Sequence, residues 1–380
     1  MRYCLDLSYI SGIFSVMNSI IDMNLVIYNL ISAFKSTYLT PELLNCTLFR
    51  ALGALGTSLC ASLIIGHWFI GQSKRFFRSK AREWAPQHHK SKDDTPTMGG
   101  IFILLATGLT VFMWAHLTEP RILIILALLM GFGVIGALDD WYKITKKRGI
   151  SARTKSILQV AISGSLMGYW IWGLNAPTQL ILPFYNTIQL DIGGFLFLLW
   201  STFIIVGTSN AVNLTDGLDG LATGSLIPNF GLFSLIAYLL GNSLITDSSY
   251  LCFTETSEIA VMGCALMGSC IGFLWYNAYP ARIFMGDVGS LSLGAGLACI
   301  ALMLKLELLL ALSAGIFVLE TVSVIIQVFS VRWRGKRIFR MAPIHHHFEL
   351  IGWPETRIVV WFSILSFILC IVAYALFKLS

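Results

Sequence analysis

Long apolar runs separated by short polar gaps repeat from residue 49 to the C-terminus, without the strict alternation of strands. A helix needs about 20 apolar residues to cross about 30 Å of hydrocarbon, with some allowance for tilt. Ten runs meet that demand: 49–71, 99–116, 121–139, 156–173, 194–209, 221–240, 259–278, 288–304, 307–330 and 358–377. The pattern therefore predicts an all-α polytopic membrane protein with about ten transmembrane helices. Residues 9–34 are also apolar, but Asn18, Asp22, Asn24 and Asn29 interrupt them, and neither a basic leader nor a cleavage pattern is present. Residues 1–44 are read as an interfacial or loosely packed N-terminal extension, and 45–380 as one transmembrane domain.

Composition agrees with the pattern. The chain is 56% hydrophobic and only 12% charged, where a soluble domain carries about 25% charged residues. The charge that remains is segregated. Basic residues crowd into three gaps, 72–98, 140–155 and 331–357, which with Arg282 all fall on one side of the ten-span arrangement. The opposite gaps 174–193 and 241–257 hold no Lys or Arg. By the positive-inside rule the basic side is cytoplasmic. A net charge of +6 then points to anionic lipid head groups or an anionic soluble substrate; no soluble domain offers a groove for nucleic acid. The 8 cysteines form no C-x-x-C pair and read as small buried hydrophobes.

Against this background Asp139, Asp140, Asp216, Asp219 and Asp287 stand out, because all sit where apolar runs break on the basic side. An aspartate near mid-membrane costs about 2.5–3.5 kcal/mol on insertion scales, so carboxylates at span ends are candidates for function. Asn213, Asp216 and Asp219 come from Asn-Leu-Thr-Asp-Gly-Leu-Asp-Gly, whose spacing of three keeps polar side chains on neighbouring helix faces. Asn277 ends one run, and Phe-Met-Gly-Asp-Val-Gly places Asp287 at the start of the next. Hard oxygen ligands of this kind suit Mg²⁺. Lys92, Thr97 and Lys155, with backbone amides at helix N-termini, offer a cradle for phosphates. Each motif also has a plainer reading: Asp139-Asp140 as a helix end paired with nearby lysines, and Thr-Pro-Thr-Met-Gly-Gly as a helix entrance. Asn213-Leu-Thr fits a glycosylation sequon, but its cytoplasmic placement argues against use.

Three consecutive histidines, His345, His346 and His347, invite a zinc reading. Successive side chains point about 100° apart on a helix, so one ion cannot easily collect all three. They read better as a polar loop that binds substrate.

Taken together, Thr95–Gly100, Asp139-Asp140, Asn213–Gly220, Phe284–Gly289 and Met341–Glu349 resemble the phospho-N-acetylmuramoyl-pentapeptide transferases, within the polyprenyl-phosphate N-acetylhexosamine-1-phosphate transferase superfamily. The resemblance runs from about residue 45 to the C-terminus. It implies ten helices with cytoplasmic active-site loops in the bacterial cytoplasmic (inner) membrane, and a homodimer. It also implies transfer of phospho-MurNAc-pentapeptide from UDP-MurNAc-pentapeptide to undecaprenyl phosphate, giving lipid I and UMP with Mg²⁺. On the same footing Asp287 looks like the metal ligand and Asp139, Asp140 and Asp216 like the catalytic acids. Lys92, Thr97, Lys155, Asn213, Asp219, Asn277, Phe284 and His345 to His347 match substrate-binding positions. A UDP-GlcNAc:polyprenyl-phosphate transferase is the nearest alternative, though it should lack Met-Ala-Pro-Ile-His-His-His. A secondary transporter of anionic solutes is the other, and it calls for charges at mid-span.

Overall fold

The computed structural model describes residues 46–76, 95–181, 189–242 and 256–379. The N-terminal extension and Lys92 lie outside the described residues. In chain order the helices are α1 (Thr47–Phe76), α2 (Gly100–Trp114), α3 (Pro120–Lys146), α4 (Ala152–Gly168), α5 (Gly193–Thr215) and α6 (Leu221–Gly241). They continue with α7 (Ser257–Asn277), α8 (Gly286–Met303), α9 (Glu307–Ser313), α10 (Gly315–Arg334), α11 (Ile344–Leu350) and α12 (Glu355–Leu379). Each of the ten runs from 49 to 377 contains a helix.

Among the described residues eight helices, α1, α3, α5, α6, α7, α8, α10 and α12, are long and apolar enough to cross a membrane. The chain is an all-α polytopic membrane protein. Two of the ten predicted spans depart from that standard: α2 has 15 residues, and α4 has 17 before a π-helical turn at Tyr169–Gly173. The run 307–330 is a further correction, since it is two helices rather than one. Ala314, flanked by Ser313 and Gly315, ends α9 with φ −85° and ψ 22°, and α10 starts afresh. Gly315, a poor helix former, stands directly after the break. The gap 174–193 also holds structure, a short antiparallel hairpin of β1 (Gln179–Ile181) and β2 (Gln189–Asp191).

At the centre runs α8, almost entirely buried and packed against α3, α5 and α2. Its sequence explains the place: Gly-Asp-Val-Gly-Ser-Leu-Ser-Leu-Gly-Ala-Gly is rich in small residues, which let backbones approach where lipid supplies no hydrophobic drive between helices. Gly289 meets the backbone of Gly100 on α2, and Gly136 on α3 meets the backbone of Asp287 and Val288. The serines of these helices return their hydroxyls to carbonyls, as Ser209 does to Leu291 at 2.8 Å and Ser292 to Val288 at 2.6 Å. Outward, Ile64, Trp68, Phe203, Phe329 and Phe367 are exposed, as expected of a surface that lipid covers.

Candidate active site

Alternating helix directions bring one end of α2, α3, α4, α5, α6, α7 and α8 together, and the polar breaks of the sequence meet there. Asp139 and Asp140 lie in the penultimate turn of α3, and Asp287 in the first turn of α8. Because Gly136 lets those helices touch, the three carboxylates come together: one ligand atom from each lies within 4.8 Å of the others. All three residues are buried.

Three like charges so close need a countercharge. Lys143 supplies it, with Nζ 2.8 Å from Asp139 Oδ2, 3.2 Å from Asp140 Oδ1 and 2.8 Å from Asp287 Oδ1. Lys155, in the first turn of α4, pairs with Asp287 and lies 3.7 Å from Asp139. Backbone and amide groups complete the ring: Ile150 N donates to Asp139 Oδ1 at 2.6 Å, and Asn213 Nδ2 donates to Asp287 Oδ1 at 3.1 Å. Ser290 accepts a second bond from the same Asn213 amide at 2.8 Å. The Lys143 ammonium occupies the point on which three hard oxygen donors converge, so the cluster is already arranged around a cation. Its donor set fits a divalent ion that favours carboxylates.

Asp216 caps the C-terminus of α5. Burial first, then the charges of Asp287, Asp140 and Asp219, pushes its carboxyl up to about 8. It belongs electrostatically to the cluster without joining the three ligand groups.

Other predicted residues sit around this centre with distinct jobs. Pro96 O accepts from Phe284 N, while Gly99 N and Gly100 N donate to Phe284 O and Met285 O, all at 2.9 Å. The segment 96–100 is thus laced to the segment before α8. That corrects one expectation: the amides of Gly99 and Gly100 are consumed by protein carbonyls and do not form a phosphate cradle. Thr97 remains half-buried, with its hydroxyl against Gly286 beside Asp140. Gly286 is required there, since its φ is +72° and a Cβ would strike both groups. Phe284 is partly exposed at the rim.

Asn277 and Asp219 pin loops together. The Asn277 side-chain oxygen accepts from Gly220 N at 3.0 Å and Thr223 Oγ1 at 3.2 Å, and its nitrogen donates to Ile283 O at 3.0 Å. Asp219 Oδ2 accepts from Ala281 N at 3.0 Å, and its own N–H donates to Glu355 at 2.8 Å. With its polar atoms so engaged and only 2% exposed, Asn277 shapes the site from behind.

The histidines occupy α11 and its first turn. His345 is buried against Gly217, the neighbour of Asp216, and its Nδ1 lies 3.1 Å from Glu320 Oε1 on α10. His346 pairs with Glu349 at 2.6 Å, and His347 Nδ1 accepts from Arg340 N at 3.1 Å. Their polar partners differ, Glu320, Glu349 and the Arg340 backbone, while the His345 and His346 rings pack with centroids 4.1 Å apart. Lys143 and Glu320 escaped notice as site residues. Lys143 was legible in principle, four and three residues after Asp139 and Asp140 on one helix face. Glu320 was legible as an acid inside an apolar run.

Sequence comparison adds an independent line. Residues 122–305 match the family pattern described as glycosyl transferase family 4. Residues 92–104 match the phospho-N-acetylmuramoyl-pentapeptide-transferase signature 1. A protein of Syntrophus aciditrophicus (strain SB) named phospho-N-acetylmuramoyl-pentapeptide-transferase is 43% identical over 367 residues, covering 93% of this chain and 100% of its own length.

Proposed function

The chain belongs to the phospho-N-acetylmuramoyl-pentapeptide-transferase family, and from that premise we infer that it makes lipid I by a Mg²⁺-dependent transfer at the carboxylate cluster. Phospho-MurNAc-pentapeptide passes from UDP-MurNAc-pentapeptide to undecaprenyl phosphate, and UMP leaves. One observation carries the site assignment: three buried carboxylates from two helices converge on a single cation position, with a second lysine alongside.

Asp287, with Asp139 and Asp140 beside it, would hold Mg²⁺; when bound, such an ion would offset repulsion between the two phosphorylated reactants and stabilise the departing phosphate. Lys143 and Lys155, which pair with these carboxylates, would supply positive charge to the diphosphate. A lipid phosphate is largely ionised near neutral pH, so the protein's task is alignment and charge neutralisation. In the single-step route an oxygen of the lipid phosphate attacks the sugar-proximal phosphorus, and the bond from that phosphorus to the bridging oxygen breaks, the oxygen leaving with UMP. Asp139 takes any residual proton of the acceptor in this reading, and Asp216 shares the field of the cluster. Thr97, Asn213 and Phe284 line the substrate side, the last as an aromatic face for uracil. Lys92, beyond the described residues, is assigned to the same role.

The basic loops beside this end of the bundle support a cytoplasmic active site in the bacterial inner membrane, and the resemblance supports a homodimer. The test is an assay of purified protein with UDP-MurNAc-pentapeptide, undecaprenyl phosphate and Mg²⁺. Lipid I and UMP should appear together, and neither should form with Asp287→Asn. Turnover of UDP-GlcNAc without lipid I would replace this reading with the simpler-sugar transferase. UMP release without lipid acceptor would overturn the single step in favour of an aspartyl intermediate.

A further inference from the structure

Arg357 stands at the head of a stripe of α12 that faces lipid. Trp361, Ile364, Leu365 and Ile368 follow it at the spacing of one helix face, and all four are exposed. Because the N–H of Asp219 donates to Glu355 at 2.8 Å, the first turn of α12 lies at the active-site end of the bundle. A membrane-spanning helix of 25 residues that starts there holds Arg357 at the level of the lipid head groups and carries the stripe into hydrocarbon.

The guanidinium is held in place but its donors are open. Its Cζ lies 4.6 Å from the centre of the Trp353 ring and 5.7 Å from that of Trp361, and the two rings stand 6.0 Å apart, so the group rests on a corner built by two indoles. The corner is fixed from behind. Trp353 stacks on Phe348 at 4.9 Å, and both pack on the buried cluster of Leu218, Leu221 and Ile358. Arg357 itself is exposed, and its guanidinium N–H groups meet no acceptor among the described residues. The acids closest in sequence are engaged, Glu355 by the Asp219 N–H and Glu349 by His346. From 321 to 348 the chain carries Arg332, Arg334, Lys336, Arg337 and Arg340 without one Asp or Glu. An arginine stacked on aromatic rings keeps its forked edge for two oxygens of one phosphate. We propose that Arg357, on the corner of Trp353 and Trp361, binds the phosphate of an anionic glycerophospholipid of the surrounding bilayer, whose acyl chain lies along the stripe from Trp361 to Ile368. The proposal is independent of the transfer reaction and uses none of its substrates.

Native mass spectrometry of the full chain in an uncharged detergent, titrated with phosphatidylglycerol or phosphatidylcholine, tests it. The wild type should retain one phosphatidylglycerol at least about tenfold more tightly than phosphatidylcholine, as two charge-assisted bonds require. Arg357→Gln should remove that preference, whereas Arg334→Gln, which takes an exposed cation from outside the corner, should cost no more than about fivefold, the share of one surface charge. Arg357→Lys separates the fork from the charge and should lose most of the affinity. Wild-type affinity in Arg357→Lys, or equal losses in Arg357→Gln and Arg334→Gln, would overturn the site in favour of diffuse surface charge. Displacement of the retained lipid by inorganic phosphate at equal concentration would overturn the lipid assignment in favour of a soluble phosphate. A measurement on the wild type alone covers the case in which a variant fails to fold. Phosphatidylglycerol brominated on its acyl chains should quench tryptophan fluorescence at a lower mole fraction than brominated phosphatidylcholine, and equal quenching by the two would refute the proposal.

Discussion

Gly136→Ala is a one-carbon change that reports on how the carboxylates are brought together. A Cβ at position 136 would overlap the carbonyl of Asp287 and lie 2.5 Å from Val288 N, where ordinary contact begins at 3.4 Å. Relief requires α3 and α8 to move apart by about 1 Å, since the Asp287 carbonyl lies closer still than Val288 N. Both neighbours are main chain, so no side chain can swing aside. Overpacking of this kind costs about 1–3 kcal/mol of stability. The larger effect falls on chemistry. Asp139 and Asp140 sit one turn beyond Gly136, and the struck peptide is that of Asp287 itself, so the separation passes directly into the cluster. A displacement near 1 Å costs about 10²-fold in rate. Lipid I formation at saturating substrates should therefore fall by roughly two orders of magnitude. Gly56→Ala, where the added Cβ meets nothing within 4 Å, should leave rate and thermal transition unchanged. Wild-type turnover in Gly136→Ala with an undisturbed transition would refute the claim that helix contact sets the carboxylate geometry.

Removing the lysine from the centre of the cluster should separate metal binding from catalysis: Lys143→Met should bind Mn²⁺ more tightly by electron paramagnetic resonance yet turn over more slowly, whereas Asp287→Asn should lose the bound signal. Equal Mn²⁺ affinity in Lys143→Met and wild type would argue that the ammonium and the ion do not compete. For Asp216, a folded value of about 8 against the ordinary carboxyl value of 3.8 means that the folded state holds the proton longer than the unfolded one. Its contribution to stability is therefore unfavourable above the unfolded value, growing up to about pH 8 and constant beyond it. Asp216→Asn should raise the thermal transition of metal-free protein at pH 8–9, by an amount reflecting a few kcal/mol, with little change in acid; the reverse trend would show the carboxylate to be stabilised in the folded site. On the opposite end of the bundle, Arg50 reaches both oxygens of Glu258, at 3.0 Å and 2.5 Å, in a buried ion pair. Arg50→Ala should destabilise by about 3–5 kcal/mol in denaturation experiments while leaving KM unchanged, and a shift in KM would link that end to the substrate.

The membrane character, the ten helical runs and the side on which charge collects were legible in the chain, because lipid imposes its demand on each segment separately. A run of about 20 apolar residues reads as a span whatever surrounds it. The limits were local too. The break at Ala314 turns on three small residues inside an otherwise continuous apolar run, and periodicity does not register it. The aspartates were legible as a set because charge at a span end is costly wherever it occurs. Their division of labour was less so. Asn277 and Asp219 look like ligands in one dimension, yet their hydrogen bonds are spent on Gly220, Ile283, Ala281 and Glu355.

Composition and patterning alone therefore determined the solvent, the helices and the identity of the polar residues that had to be near one another. Only the tertiary structure decided which of them touch. Asp139 and Asp287 are far apart in the chain, and no local rule states that Gly136 will admit the Asp287 backbone, that Lys143 will occupy the centre of three carboxylates, or that a lone acid in α10 will meet His345. Those pairings depend on helix–helix contact through small residues, where a missing methyl group sets the distance between backbones.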